Sequence, residues 1–158
     1  MSKAVFVDRD GVIVEDAGFV HKIEDLRLVR NAAEGLKLLK GFKLFIVTNQ
    51  SGIGRGIYKM DDFLKFNDQL VKELKKSDIK IEKTYVCPHA PEENCECRKP
   101  KTKFIKDAEK EFDIDFKDKI KINENNFYGV CDKVRLNKDI VLIKKYTKIV
   151  LIWRIFMS

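Results

Sequence analysis

No stretch of this sequence is long and apolar enough to span a bilayer. The longest apolar run near an end, residues 149–157, has nine residues and contains Arg154, against the roughly 20 that a spanning helix needs. The first residues, Met1-Ser2-Lys3-Ala4-Val5-Phe6-Val7-Asp8, turn acidic too early for a secretory signal. The expected compartment is the cytoplasm, with no membrane partner. There is no internal repeat and no low-complexity linker. No phosphate loop ending in Gly-Lys-Ser/Thr is present, and neither is an RNA-recognition or helix-turn-helix signature. Only four cysteines occur, and disulfides are rare in the cytoplasm, so those cysteines need another explanation.

The chain has 158 residues, of which 44% are hydrophobic and 36% charged. The first share excludes a disordered chain and the second a membrane-embedded one. The length suits a single domain over residues 1–158 with a real core, and a monomer is the default. Thirty-two Lys and Arg against 25 Asp and Glu leave a net charge of +7. Such a balance suits an anionic ligand, phosphate or nucleic acid. Lysines spread along the whole chain, however, are explained more simply as a solvated surface.

The apolar pattern alternates between strands and helices. Residues 3–8 read as a short buried strand that runs into acidic residues. Residues 32–40 carry apolar side chains at helical spacing, with Gly41 as a stop. Residues 44–47 form a continuous apolar run, as in a parallel strand covered on both faces. Asp61 is placed to cap a helix through residue 76, with Phe63, Phe66, Leu70 and Leu74 on one face. Residues 81–86 are a third strand. A helix over 102–112 turns Phe104, Ile105, Ala108 and Phe112 inward. Further strands are expected at 126–131 and 149–153. The result is an α/β protein, a Rossmann-like parallel sheet sandwiched by helices. Ligands of such sheets bind beyond the carboxyl ends of the strands. Asp8 and Asp10, residues 48–51, Cys87 and Asp132 all follow strands, and would converge there.

Four clusters carry chemistry. In Asp8-Arg9-Asp10-Gly11 two carboxylates one residue apart can divide nucleophilic and acid/base roles, and oxygen ligands there can hold Mg²⁺. Thr48-Asn49-Gln50-Ser51-Gly52-Ile53-Gly54-Arg55-Gly56 offers hydroxyls, amides and backbone N–H groups that suit phosphate oxygens. Cys87-Pro88-His89, followed after five residues by Cys95-Glu96-Cys97, supplies three thiolates and an imidazole. These fit tetrahedral Zn²⁺ in a closed, structural shell. Free core cysteines beside a surface histidine are the alternative, but the Pro, Glu and Asn between them do not suit a buried apolar segment. Arg98-Lys99 follows at once, a fork and a point charge for phosphate. His21 is a lone histidine, expected at the surface.

Taken together these motifs resemble the haloacid dehalogenase-type phosphatases. Within them the sequence is most similar to the D,D-heptose 1,7-bisphosphate 7-phosphatases and the related histidinol-phosphate phosphatases. The resemblance runs over residues 4–101 and includes Gly18-Phe19-Val20-His21-Lys22 and Cys97-Arg98-Lys99-Pro100 besides the motifs above. Ser51, Gly54-Arg55-Gly56 and the Gly18–His21 stretch favour the heptose branch. The resemblance implies that Asp8 attacks phosphorus, that Asp10 is the acid and base, and that Thr48 and Lys99 stabilise the phosphoryl group. It implies Mg²⁺ on Asp8, Asp10 and Asp132, and structural Zn²⁺ on Cys87, His89, Cys95 and Cys97. It implies substrate contacts from Asp16, Ala17, Gly18, Phe19, Asn49, Gln50, Ser51, Arg98 and Lys133. The implied substrate is a small phosphorylated sugar on the way to lipopolysaccharide heptose, not nucleic acid.

The last motif departs from the family pattern. Cys131 stands where Gly precedes Asp132-Lys133, and Leu136 where a second Asp is expected. Residues 129–158 therefore form an atypical C-terminal segment. Two alternatives follow from the sequence: a histidinol-phosphate phosphatase, or a phosphatase-like domain with impaired turnover.

Overall fold

The computed structural model describes residues 4–114. The strands expected at 126–131 and 149–153, and the site residues Asp132 and Lys133, lie outside the described residues.

β1 (Ala4–Val7) is four apolar residues, all buried. Successive side chains of a strand point to opposite faces, and here the two faces enter different cores. Val5 and Val7 join Leu44 and Ile46 of β2 (Lys43–Asn49) on one side, while Ala4 and Phe6 join Phe45 and Val47 on the other. Both faces are covered, which is why these strands read as unbroken apolar runs. β1 pairs with β2, and β2 with β3 (Ile81–Cys87), all parallel and in the order β1-β2-β3.

The first core is closed by Leu36 of α1 (Ala32–Lys37), by Leu39, and by Phe66, Leu70 and Leu74 of α3 (Met60–Lys76). The second is closed by Ala108 of α4 (Lys103–Phe112), with Phe104, Ile105 and Phe112 packed against it. Aromatic rings dominate this side: Phe6 stacks on Phe45 at 4.9 Å, and Phe112 meets Phe45 edge-on at 4.9 Å. Each such ring stabilises the fold by roughly 1.5–3 kcal/mol when fully buried. Lys83 and Tyr85 of β3 both reach Glu111, at 2.6 and 3.3 Å, and tie α4 to the sheet.

One local expectation is corrected. The start of α3 is not capped by Asp61, which is exposed; Lys59 holds the cap position, and the Asp62 carboxylate reaches back to accept its N–H at 2.9 Å. Asp62 stands third in the helix, where a side chain curls onto the cap residue. The polar stretch from Thr48 is shared between a strand and a helical turn. Thr48 and Asn49 are the last residues of β2, and a helical turn, α2 (Ser51–Gly54), follows directly.

Candidate active site

Directly after β1 the chain turns back on itself around one carbonyl. The Arg9 C=O accepts the N–H groups of Ile13 and Val14, each at 2.9 Å. Gly11 adopts φ +75°, a left-handed conformation that strains other residues, and its N–H donates to the Val14 carbonyl at 2.7 Å. The turn leaves Asp8 and Asp10 at the carboxyl edge of the sheet, beside the end of β2.

Each carboxylate has its own cation. Lys99 Nζ lies 2.6 Å from Asp8 Oδ2 and also donates to the Val47 carbonyl at 2.9 Å. Arg9 lies on the opposite side, wholly buried: its Nε and Nη2 both stand 2.8 Å from Asp10 Oδ1. The guanidinium rests over the Phe66 ring at 4.8 Å from its centroid. Two cations so placed offset the repulsion between neighbouring carboxylates.

Gln50 is the buried hub. Its Nε2 donates to Asp10 Oδ2 at 2.7 Å and to Thr48 Oγ1 at 2.6 Å. Its Oε1 accepts Arg9 Nη2 at 3.1 Å and Tyr58 Oη–H at 2.5 Å. Both donors and both acceptor positions of the amide are thus used. Burial, opposed by Arg9 and reinforced by Asp10, pushes the Tyr58 hydroxyl up to about 12, so it stays protonated and donates.

A cavity of about 300 Å³ opens above these groups. Asp8, Asp10 and Lys99 form its floor, and Asn49, Gln50 and Ser51 one wall. Asp16, Gly18, Phe19 and Tyr58 complete it. Phe19 is half exposed at the rim, and Tyr58 stacks on His21 with ring centroids 4.4 Å apart. A carbonyl can only accept, so His21 Nδ1–H donates to the Phe19 carbonyl at 2.6 Å. His21 was expected at the surface; it is half-buried because that stack holds it. Gly52 makes the arrangement possible, since a Cβ there would stand 2.2 Å from the Tyr58 ring and 2.9 Å from Phe19.

The second cluster adjoins this wall. One ligand atom from each of Cys87, His89, Cys95 and Cys97 lies within 4.8 Å of the others. Cys95 Sγ is 3.4 Å from Cys87 Sγ and 3.5 Å from Cys97 Sγ, and His89 Nδ1 is 3.3 Å from Cys97 Sγ. A tetrahedral Zn²⁺ with bonds of about 2.3 Å has edges of roughly 3.5–3.8 Å, so the spacing fits that ion. Burial pushes the Cys87 thiol up to about 12. Burial would raise Cys95 too, but hydrogen bonds from Cys87, Cys97 and backbone N–H groups bring it down to about 7. The loop docks by backbone bonds: Gln50 N–H to the Cys87 carbonyl at 2.7 Å, and Gly54 N–H to that of Pro88 at 2.8 Å.

Most residues singled out in the sequence meet here, though not all face the cavity. Thr48 is buried beneath it, its hydroxyl 3.4 Å from Asp10 Oδ2. Asn49 turns its amide to Lys99, accepting its N–H at 3.0 Å and donating to its carbonyl at 3.5 Å. Asp16 accepts the Gly18 N–H at 3.1 Å. Arg98 and Ala17 stand outside the lining, and Arg98 donates to the His89 carbonyl at 3.3 Å. Sequence reasoning passed over Arg9 and Tyr58. Arg9 left a signal: it alternates with two strand-end carboxylates, so its side chain heads for the core. Tyr58 left none.

A parallel sheet whose carboxyl edge brings two aspartates, a threonine and a lysine together defines the class as a phosphoryl-transfer fold. The family model described as polynucleotide kinase 3 phosphatase matches residues 5–144. The D-glycero-alpha-D-manno-heptose-1,7-bisphosphate 7-phosphatase of Campylobacter jejuni is 50% identical over 126 residues, 78% of this chain and 72% of that protein. The D-glycero-beta-D-manno-heptose-1,7-bisphosphate 7-phosphatase of Helicobacter pylori strain J99 is 46% identical over 72% of this chain and 67% of its own length. A crystal structure of D,D-heptose 1,7-bisphosphate phosphatase from B. bronchiseptica, complexed with magnesium and phosphate, superposes with a TM-score of 0.66 at 26% identity. The superposition covers 73% of this chain and 65% of that one, so the chain spans about two thirds of the solved relative. The chain belongs to this family of phosphatases. Among the described residues no helix is long and apolar enough to cross a membrane.

Proposed function

We propose that the chain is a Mg²⁺-dependent phosphatase that removes the C7 phosphate of D-glycero-D-manno-heptose 1,7-bisphosphate. The observation that carries this reading is the meeting of Asp8, Asp10 and Lys99 on the floor of one cavity, with Lys99 2.6 Å from Asp8. The names of the similar proteins point to the heptose substrate and not to histidinol phosphate.

Asp8, which lines the cavity, attacks phosphorus in line; the bond from phosphorus to the sugar oxygen breaks, and Asp10 gives that oxygen its proton. Asp10 then takes a proton from water, which attacks the aspartyl phosphate and frees Asp8 and inorganic phosphate. Lys99 and Thr48 stabilise charge on the transferring group. The hard oxygen donors of Asp8 and the Asp10 carbonyl suit Mg²⁺, with Asp132 as a further ligand. When bound, the ion neutralises charge between carboxylate and phosphate. Cys87, His89, Cys95 and Cys97 hold a structural Zn²⁺ that fixes the chain leading into Arg98 and Lys99. Phe19, Ser51, Arg98 and Lys133 contact the sugar or its remote phosphate. Such free thiols suit the reducing cytoplasm.

The test is phosphate release from both anomers of the heptose bisphosphate, with histidinol phosphate alongside, in the presence and absence of Mg²⁺. Mg²⁺-dependent multiple turnover of a heptose bisphosphate is expected. Preference for histidinol phosphate would overturn the substrate. No release at all from folded protein would favour an impaired domain, for which Cys131 and Leu136 are the first residues to revert.

A further inference from the structure

The family motif assigns roles to the carboxylates and leaves the residue between them without one. Yet Arg9 is the largest fully buried side chain of the described residues. Burying a guanidinium is costly unless it is paired and hydrogen-bonded, so its partners report what it is for. Nε donates to one oxygen of Asp10 at 2.8 Å, and Nη2 lies 2.8 Å from the same oxygen in an ion pair. Nη2 also donates to the Val20 carbonyl at 2.8 Å and to Gln50 at 3.1 Å. Nη1 has no hydrogen-bond partner among the described residues, so the pairing with Asp10 is the main return for desolvating the charge.

The other oxygen of Asp10 is held from the same buried side, by Gln50 Nε2 at 2.7 Å and Thr48 Oγ1 at 3.4 Å. With one oxygen on Arg9 and the other on Gln50, the carboxylate cannot turn about its own axis without breaking charged hydrogen bonds. Arg9 and Gln50 are bonded to each other, and Tyr58 braces Gln50 from behind. Resting on the phosphatase reading above, we propose that Arg9 and Gln50 are positioning residues for Asp10, fixing its carboxylate for proton transfer to the leaving sugar oxygen. Misplacing a reacting group by about 1 Å can cost a factor of roughly 10².

A positioning role differs from a structural one in its dependence on the leaving group. Expelling a sugar alkoxide needs the proton; nitrophenolate leaves without one. The ratio kcat/KM reports only steps up to release of the alcohol, so it isolates this proton transfer from the later hydrolysis. The experiment compares kcat/KM for the heptose bisphosphate and for p-nitrophenyl phosphate in the unaltered protein, in Gln50→Leu and in Arg9→Lys. Expected is a loss of about 10²-fold or more on the sugar ester and under about fivefold on the aryl ester. Equal losses on both esters, or none, would overturn the assignment while leaving the phosphatase reading intact. Release from neither ester by the unaltered protein would overturn that reading, and the assignment with it. If Gln50→Leu does not fold, Arg9→Lys decides, since it keeps the buried charge and gives up the directed hydrogen bonds of the guanidinium.

Discussion

Two clusters of ionisable side chains sit side by side at the carboxyl edge of the sheet, and they are built on opposite plans. Around Asp8 and Asp10 the protein supplies its own countercharges, Lys99 from the open side and Arg9 from the core. Around Cys87 and Cys97 the thiols find mainly each other and His89, and burial holds both above the ordinary thiol range. The first cluster pairs each carboxylate with a cation of the chain itself. The second gathers three thiols and an imidazole, and a cation there would favour the thiolate forms that burial disfavours at Cys87 and Cys97. On the proposed function, a metal at the first would be a reagent and a metal at the second part of the fold.

The sharpest way to break this comparison is Asp8→Asn. It removes the nucleophile but keeps the shape, and leaves Asp10 with its Arg9 and Gln50 contacts. Turnover is expected to fall by at least about 10³-fold, with the melting temperature within a few degrees of the unaltered protein. Appreciable turnover would show that the first cluster does not act through Asp8. The next effect is on the second cluster. Cys97→Ser should reduce bound zinc from one per chain to none by elemental analysis. It should also lower the melting temperature by roughly 5–15 °C, a loss of a few kcal/mol in a domain of this size. Because Lys99 stands two residues further along, activity should fall as well. A zinc-free protein with unchanged melting would contradict the structural role of that ion. The smallest effect sharpens the first plan. Tyr58→Phe deletes one buried hydrogen bond, yet Gln50 Oε1 keeps Arg9 as donor. Urea denaturation should show a loss of about 0.5–1.5 kcal/mol and no more; a loss several times larger would mean that Tyr58, and not Arg9, anchors the hub.

Much of this was legible in the residue order, for identifiable reasons. The first two strands were readable because a parallel strand covered on both faces is apolar throughout its buried stretch, as Ala4–Val7 is. The face of α3 was readable because Phe63, Phe66, Leu70 and Leu74 recur at helical spacing, and all four are buried. The cysteine cluster was readable because its ligands are close in sequence. The hub was not. Gln50 carries no sign in the sequence that its amide would be spent on Asp10, Thr48, Arg9 and Tyr58. These partners come from the turn after β1, from β2 and from the segment after α2, and only packing decides which meet. The cap of α3 was misread for a smaller reason: the helix begins at Met60, so Asp61 falls inside its first turn and Asp62 takes the position that reaches back to Lys59.

The sequence by itself determined the alternation of strand and helix, the edge at which polar residues gather, and the chemical types of ligand offered there. These depend on local spacing and on side-chain chemistry, which do not need a partner to be read. Only the tertiary structure decided that Arg9 lies beneath Asp10 and Lys99 beside Asp8, and that Asn49 spends its amide on the Lys99 backbone. Lys99 comes to Asp8 and Asn49 from far along the chain, fifty residues from the latter, and Arg9 is turned inward by the distant Phe66 and Gln50. Each contact depends on shape and burial, since a charge leaves water only where the fold presents a matching group.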